Sequence, residues 1–327
     1  MIEQTQSAYS IEQAAGIVGA VKAQVAKAVV GQGVVIEQIL LALVAAGHVL
    51  VEGVPGLGKT LLARAVAKTF EGRFTRIQFT PDLMPTDITG HVIYDIKQEE
   101  FKLHRGPIFT HLLLADEINR APAKTQSALL EVMQERQVSI EGRPLSVPSP
   151  FMAIATQNPI EQEGTYPLPE AQVDRFLLKV LIDYPSDSEE IELVGAVTGG
   201  RVGDVLDVSE VEPIIGADDV LKLQRAAANV RLDDEVAAYA VRLARATREW
   251  PGARFGAGPR GGIALVRAGR ASALLNGREF VIPDDLKAVA KPVLRHRLVL
   301  EPEAELDGQT PDHLLDGLLE QVEAPRR

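Results

Sequence analysis

The 327-residue chain contains no cysteine. That excludes disulfides, a thiolate nucleophile and any zinc site with sulfur ligands. Histidine is sparse: six residues, scattered without the short spacings of a metal site, so each reads as a solvated or locally bonded side chain. Basic residues are outnumbered, 34 against 45 acidic, for a formal charge of −11. This argues against a general attraction to DNA, RNA or anionic membrane, although a local basic stripe fits within an acidic whole. Long apolar runs are missing too. The longest, Ile39 to Ala46, falls far short of the ~20 residues of a membrane span. Residues 1–7 have neither the basic nor the apolar region of a secretory signal. Together these absences lead us to expect a soluble, cytoplasmic protein with no membrane insertion and no nucleic-acid partner.

The chain has 46% hydrophobic residues, enough for two domains with separate cores. It is organised around Gly53-Val54-Pro55-Gly56-Leu57-Gly58-Lys59-Thr60, an unbroken GxxxxGK[ST] phosphate loop. An apolar run, His48 to Val51, precedes it as a strand, and Leu61 to Lys68 follows with helical spacing. That strand–loop–helix context is what the motif requires. The glycines permit a tight loop whose backbone N–H groups point inward, and the helix aims its positive end at the same spot. Lys59 would reach the β- and γ-phosphates, and the Thr60 hydroxyl would ligate Mg²⁺. We therefore assign Gly53, Pro55, Gly56, Leu57, Gly58, Lys59, Thr60 and Leu61 to binding ATP.

Ahead of the loop, Ser10 and Gln13 form a capping box for a helix from Ile11 to about Val29. A second helix, Val34 to Ala46, carries Ile36, Ile39, Leu40 and Leu43 on one stripe and should stop at Gly47. Beyond the loop, strands are expected at Phe74–Phe79, His111–Ala115, Phe151–Ala155 and Phe176–Leu181, with a helix opened by Pro122. Two hairpins interrupt this pattern. One pairs Val92–Ile96 with Phe101–Leu103; the other pairs Val138–Ile140 with Leu145–Val147. Strands alternating with helices predict an α/β fold, a five-stranded parallel sheet sandwiched by helices. Past Pro185 helical patterns dominate: Glu189–Val197, Ala217–Ala228, Asp233–Arg248, Ile263–Leu275 and Asp284–Leu298, with a loop at Gly199-Gly200-Arg201. We expect a nucleotide-binding core over residues 1–185 and a small all-α domain over 186–327.

The apolar run ending in Asp116-Glu117 has the Walker B arrangement. Its carboxyl end should lie beside the phosphate loop, with Asp116 on Mg²⁺ and Glu117 orienting or deprotonating the attacking water. Asn158 ends the next strand and could hydrogen-bond the γ-phosphate, though Asn158-Pro159 is also simply a turn. Arg175, just before the last strand, fits either an arginine finger presented to a neighbouring subunit or a surface salt bridge. Residues 256–261 match GxGxxG without a preceding strand or a βαβ unit, so we read a glycine-rich turn opening a helix, with Arg260 free to contact phosphate.

In this order the motifs resemble an AAA+ ATPase module over essentially the whole chain. The long matches are Ala115 to Pro122, Ala155 to Glu161 and Tyr166 to Ala171, and they resemble the MoxR family. The resemblance implies sensor 1 at Asn158, an arginine finger at Arg175 and sensor 2 at Arg260 in a helical lid. It also implies an adenine-cradling segment at Val30-Gly31-Gln32 and points Arg120 toward a neighbour's nucleotide. The expected function is Mg²⁺-dependent ATP hydrolysis by a homo-oligomeric ring, a hexamer, that remodels or matures client proteins, metal insertion included, beside a von Willebrand factor A domain partner. The alternatives are a nucleic-acid translocase or a chelatase-type motor subunit of the same clade. A DNA-gripping hairpin should carry Lys or Arg, and the second hairpin offers only Arg143 beside Glu141.

Overall fold

Short runs rich in Leu, Val and Ile become the strands of one sheet because both of its faces are covered. The computed structural model describes residues 8–159, 164–198 and 207–325. The Gly199-Gly200-Arg201 loop and the Ile160-Glu161 end of one family match lie outside them. The strands are β1 (Val49–Glu52), β2 (Phe74–Gln78), β3 (Leu112–Asp116), β4 (Met152–Gln157) and β5 (Leu178–Leu181). They pair in the order β5-β1-β4-β3-β2, all parallel, with Val49 opposite both Leu178 and Ile154, and Leu112 opposite both Phe74 and Met152. Alternation divides β1, β3 and β4 between two apolar clusters. Val49, Val51, Leu112, Leu114, Met152 and Ile154 enter one, and Leu50, Leu113, Ala115, Ala153 and Ala155 enter the other.

Helices α1 (Ile11–Val25), α2 (Gly33–Val44) and α3 (Lys59–Lys68) contribute to the first cluster. Ser10 and Gln13 form the expected capping box on α1. The opposite face is covered by α4 (Ala123–Glu135) through Leu129, Leu130 and Met133. Helix α2 is buried on more than one stripe: Leu41, Ala42 and Val44 are buried as well, because helices from the C-terminal part pack over it. Gly47 is not its left-handed terminator. Ala46 takes that conformation at φ 54°, and Gly47 is needed for clearance, since a Cβ there would overlap the Leu177 side chain.

Both hairpins form. Gly90–Asp95 pairs with Glu100–Arg105, Val92 opposite Leu103, and Gln137–Ile140 pairs with Arg143–Ser146. After Pro185 come α5 (Asp187–Thr198), α6 (Ala217–Asn229), α7 (Asp234–Ala246), α8 (Pro259–Leu275), α9 (Pro283–Leu294) and α10 (Pro311–Gln321). The expected helix to Leu298 stops at Leu294, followed by a 3₁₀ turn, Arg295–Arg297. Helix α10 and the pairing of Ala253–Phe255 with Val299–Leu300 were not anticipated. The helices past Pro185 do not stand apart, because one apolar cluster runs from Ala14 to Leu318. Helix α6 is also tied to the N-terminal part by the Tyr9 hydroxyl, which donates to Asp219 at 2.6 Å. Among the described residues no helix is long and apolar enough to cross a membrane.

Candidate active site

The phosphate loop connects β1 directly to α3, and its glycines divide the work. Gly56 and Gly58 adopt φ of 84° and 75°, which side chains rarely tolerate, and Gly58 is the N-cap of α3. Gly53 serves clearance: a Cβ there would sit 2.7 Å from the Ile182 carbonyl oxygen. No side chain caps α3, so its first N–H groups remain for an anion. The Lys59 ammonium lies within the loop, donating to the carbonyls of Gly53 and Val54 and to Gln157 at the end of β4. Gln32 donates through Nε2 to the Leu57 carbonyl at 2.9 Å, which joins the Val30-Gly31-Gln32 segment to the phosphate loop. Its Oε1 is buried without a donor, an acceptor that an adenine amino group would satisfy.

Asp116 ends β3 and is nearly inaccessible. Its carboxylate accepts from Thr60 Oγ1 at 3.0 Å, Thr156 Oγ1 at 2.6 Å and the Arg76 guanidinium at 2.7 and 3.1 Å. Glu117 follows in the left-handed region at φ 56°, so its side chain turns away from the Asp116 position. Its N–H donates to Thr156 Oγ1, while its carboxylate accepts from Gln78 at 2.6 Å and Arg120 at 3.1 Å. Arg120 thus pairs with Glu117 of its own chain. Asn158 is buried just past β4, at the same carboxyl end of the sheet. Sequence reading missed Arg76, Gln78 and Thr156; only Gln78 and Thr156, at the ends of strands neighbouring β3 or β1, carried any signal.

Mg²⁺ prefers hard oxygen ligands and retains several waters. The Thr60 hydroxyl and Asp116 carboxylate, 3.0 Å apart beside the phosphate loop, provide that donor set. Arg76 bonds the same Asp116 oxygen as Thr60, but its side chain is half exposed and has room to withdraw. The residues fit the ion. No group of three or more His, Asp or Glu side chains forms a separate metal site among the described residues.

Arg175 and Arg260 lie away from their own chain's phosphate loop. Arg175 and Arg260 line one cavity of about 370 Å³, together with Gly47 and His48 at the start of β1 and with Arg136, Arg267 and Arg297. The phosphate loop leaves the other end of β1, roughly 13 Å away at ~3.3 Å per strand residue. This corrects the expectation for Arg260, which does not reach its own chain's phosphate site and instead faces Asp174 at 3.7 Å. The salt-bridge alternative for Arg175 also fails. Asp174 pairs with Arg297 at 2.7 Å, and Arg175 Nε is buried without an acceptor.

Arg297, buried and unanticipated, holds the Arg175 loop in place. It donates to the Asp174 carboxylate and to the carbonyls of Asp174, Phe176, Leu177 and Val293. Burial pushes its guanidinium, and those of Arg136 and Arg267, below the usual arginine range, Asp174 opposing this at Arg297. Gly258 is the N-cap of α8, so the GxGxxG segment is indeed a turn opening a helix. A three-residue strand, Ala253–Phe255, does precede it, but it pairs antiparallel outside any βαβ unit.

Two family models match this chain: the ATPase family associated with various cellular activities (AAA), over residues 48–178, and the AAA lid domain, over residues 245–318. The chain is 47% identical to Chaperone MoxR1 of Mycobacterium tuberculosis across 93% of this chain and 81% of that one. It is 34% identical to Protein MoxR of Methylorubrum extorquens, covering 92% of this chain and 93% of the relative. A crystal structure from Cytophaga hutchinsonii, ascribed to an ATPase, superposes with a TM-score of 0.88 at 40% identity over 97% of each chain.

Proposed function

This chain belongs to the MoxR family of AAA+ ATPases, and we propose that it hydrolyses ATP with Mg²⁺ as a closed homo-oligomeric ring, a hexamer. One observation carries the ring. The phosphate loop and the Arg175–Arg260 cavity sit at opposite ends of β1, so groups suited to one γ-phosphate meet only across two subunits. We take residues 1–185 as the nucleotide-binding core and 186–327 as the lid.

Lys59 and the loop N–H groups bind the phosphates, and the Gln32 segment takes the adenine. Thr60 and Asp116 would hold Mg²⁺, which supplies charge neutralisation on the phosphate oxygens. Glu117 positions the attacking water and accepts its proton; Gln78 and Arg120 orient that carboxylate. Asn158 reads whether the terminal phosphate is present. Arg175 and Arg260 of the neighbour meet the charge that develops on the transferred phosphoryl group.

The client is a polypeptide. The first hairpin exposes Tyr94, Ile96 and Phe101, with Ile96 and Phe101 82% and 75% accessible. An apolar, aromatic tip suits protein better than phosphate backbone. We read its role as that of a chaperone in maturing complexes, metal insertion among them, beside a von Willebrand factor A domain partner, and the similarity to Chaperone MoxR1 supports the chaperone part. The test is mixing. Lys59→Ala and Arg175→Ala should each lower ATP turnover at least a hundredfold, since a finger arginine contributes ~10³–10⁵. A mixture of the two should regain part of it, because some interfaces then hold an intact loop and an intact finger. Normal turnover by Arg175→Ala alone refutes the shared site.

A further inference from the structure

Helices α7 and α8 enclose an open groove of about 670 Å³ whose floor is apolar. Val241 and Ile263 in it are 52% and 60% exposed. Four arginines surround it, Arg245, Arg248, Arg267 and Arg270, and no carboxylate lines it. Arg248 and Arg267 donate to backbone carbonyls, and Arg270 Nε is buried without an acceptor. None of the four pairs with a carboxylate among the described residues. Four guanidiniums around an apolar floor call for an acidic, amphipathic occupant.

Helix α5 has that chemistry. Its first turn holds Asp187, Glu189 and Glu190, and its last turn holds no basic residue. Ile191 and Val194, three residues apart and so on one face, are 74% and 55% exposed. Placement agrees with chemistry. Helix α5 lies at its own chain's adenine segment, because a Cβ on Gly31 would sit 2.7 Å from the Glu189 carboxylate. The groove adjoins the Arg175–Arg260 cavity, sharing Ile263 and Arg267 with it. In a ring where that cavity faces a neighbour's nucleotide, the groove faces the neighbour's α5.

We propose that α5 of one copy docks its Ile191–Val194 face into the α7–α8 groove of the next, with Glu190 and Glu192, which flank that face, against the four arginines. This rests on the ring reading above and specifies its contact. The chain lacks cysteine, so an engineered pair would be its only thiols. A chain carrying Val194→Cys and Val241→Cys, given ATP and Mg²⁺ and a short bis-maleimide, should link into a ladder ending at the closed ring. A control with Ile96→Cys and Val241→Cys, using the exposed hairpin tip, should link at least tenfold less.

Light scattering on the same samples separates the two ideas. A ring that assembles without the α5–groove ladder overturns the docking and leaves the ring standing. A chain that stays monomeric overturns both. As a second arm, Arg245→Glu with Arg270→Glu should weaken assembly roughly tenfold, the scale of a few exposed charge pairs. Adding Glu190→Arg and Glu192→Arg to the same chain should restore it. A loss that the swap does not reverse overturns the proposal and gives the groove to an acidic helix of another protein.

Discussion

His48→Gln separates a buried titration from a buried hydrogen bond. His48 precedes β1 and is 6% exposed. Its Nδ1 accepts the Ala153 N–H at 3.0 Å, and Nε2 donates to the Met133 carbonyl at 3.1 Å, which selects the neutral tautomer protonated on Nε2. A second proton on Nδ1 would oppose the Ala153 N–H. Burial first, then the neighbouring Arg136 and Arg267, push the imidazole down from 6.5 to about 3, the Met133 bond opposing them only in part. The unfolded chain therefore binds one more proton across that window. The stabilisation is complete above about pH 6.5 and is lost as pH falls, by about 1.4 kcal/mol per unit. From pH 7 to pH 5 this residue alone should cost about 2 kcal/mol. Glutamine can make both hydrogen bonds, Oε1 accepting and Nε2 donating, without titrating. Urea unfolding followed by circular dichroism at the two pH values is the assay. Wild type should lose about 2 kcal/mol more than His48→Gln on acidification. His296, also buried and held neutral, contributes to both proteins and cancels. Equal losses would mean that His48 is protonated in the fold, and the reasoning would be wrong.

Arg297→Leu should destabilise by about 1–3 kcal/mol, read from the denaturation midpoint, because it removes the donor of the partly exposed Asp174 carboxylate and of several carbonyls at once. Arg297→Lys should not rescue, since one ammonium cannot replace the fork. Glu117→Gln should retain ATP binding while turnover falls by about 10²–10⁴. Recovered from its own cells with ATP and Mg²⁺, it should carry a von Willebrand factor A protein or a maturing complex; nuclease-sensitive recovery of replication proteins would favour a translocase instead.

Local chemistry was legible along the chain. The Ser10–Gln13 capping box, the phosphate loop, the apolar strands and both hairpins depend on residues close in sequence, where spacing and backbone preference decide the outcome. Roles that depend on distant segments were not legible in this way. Gly47 reads as a helix terminator, yet the Leu177 side chain is what forbids a Cβ there. Arg76 looks unremarkable in sequence, and only the pairing of β2 with β3 brings it to Asp116. Arg297 sits 123 residues from the Asp174 it clamps.

The sequence by itself determined the phosphate-loop motif, its strand–loop–helix setting and the Asp116-Glu117 pair at the end of an apolar strand, because these depend on contiguous residues. Only the tertiary structure decided where Arg175 and Arg260 stand. The packing of α8 over α2 and the start of β1 carries Arg260 to the end of the sheet away from its own phosphate loop, where the start of the parallel strand β5 also puts Arg175. A motif's spacing says nothing about which end of a strand the chain will return to. That depends on the apolar surfaces that neighbouring helices bury against each other.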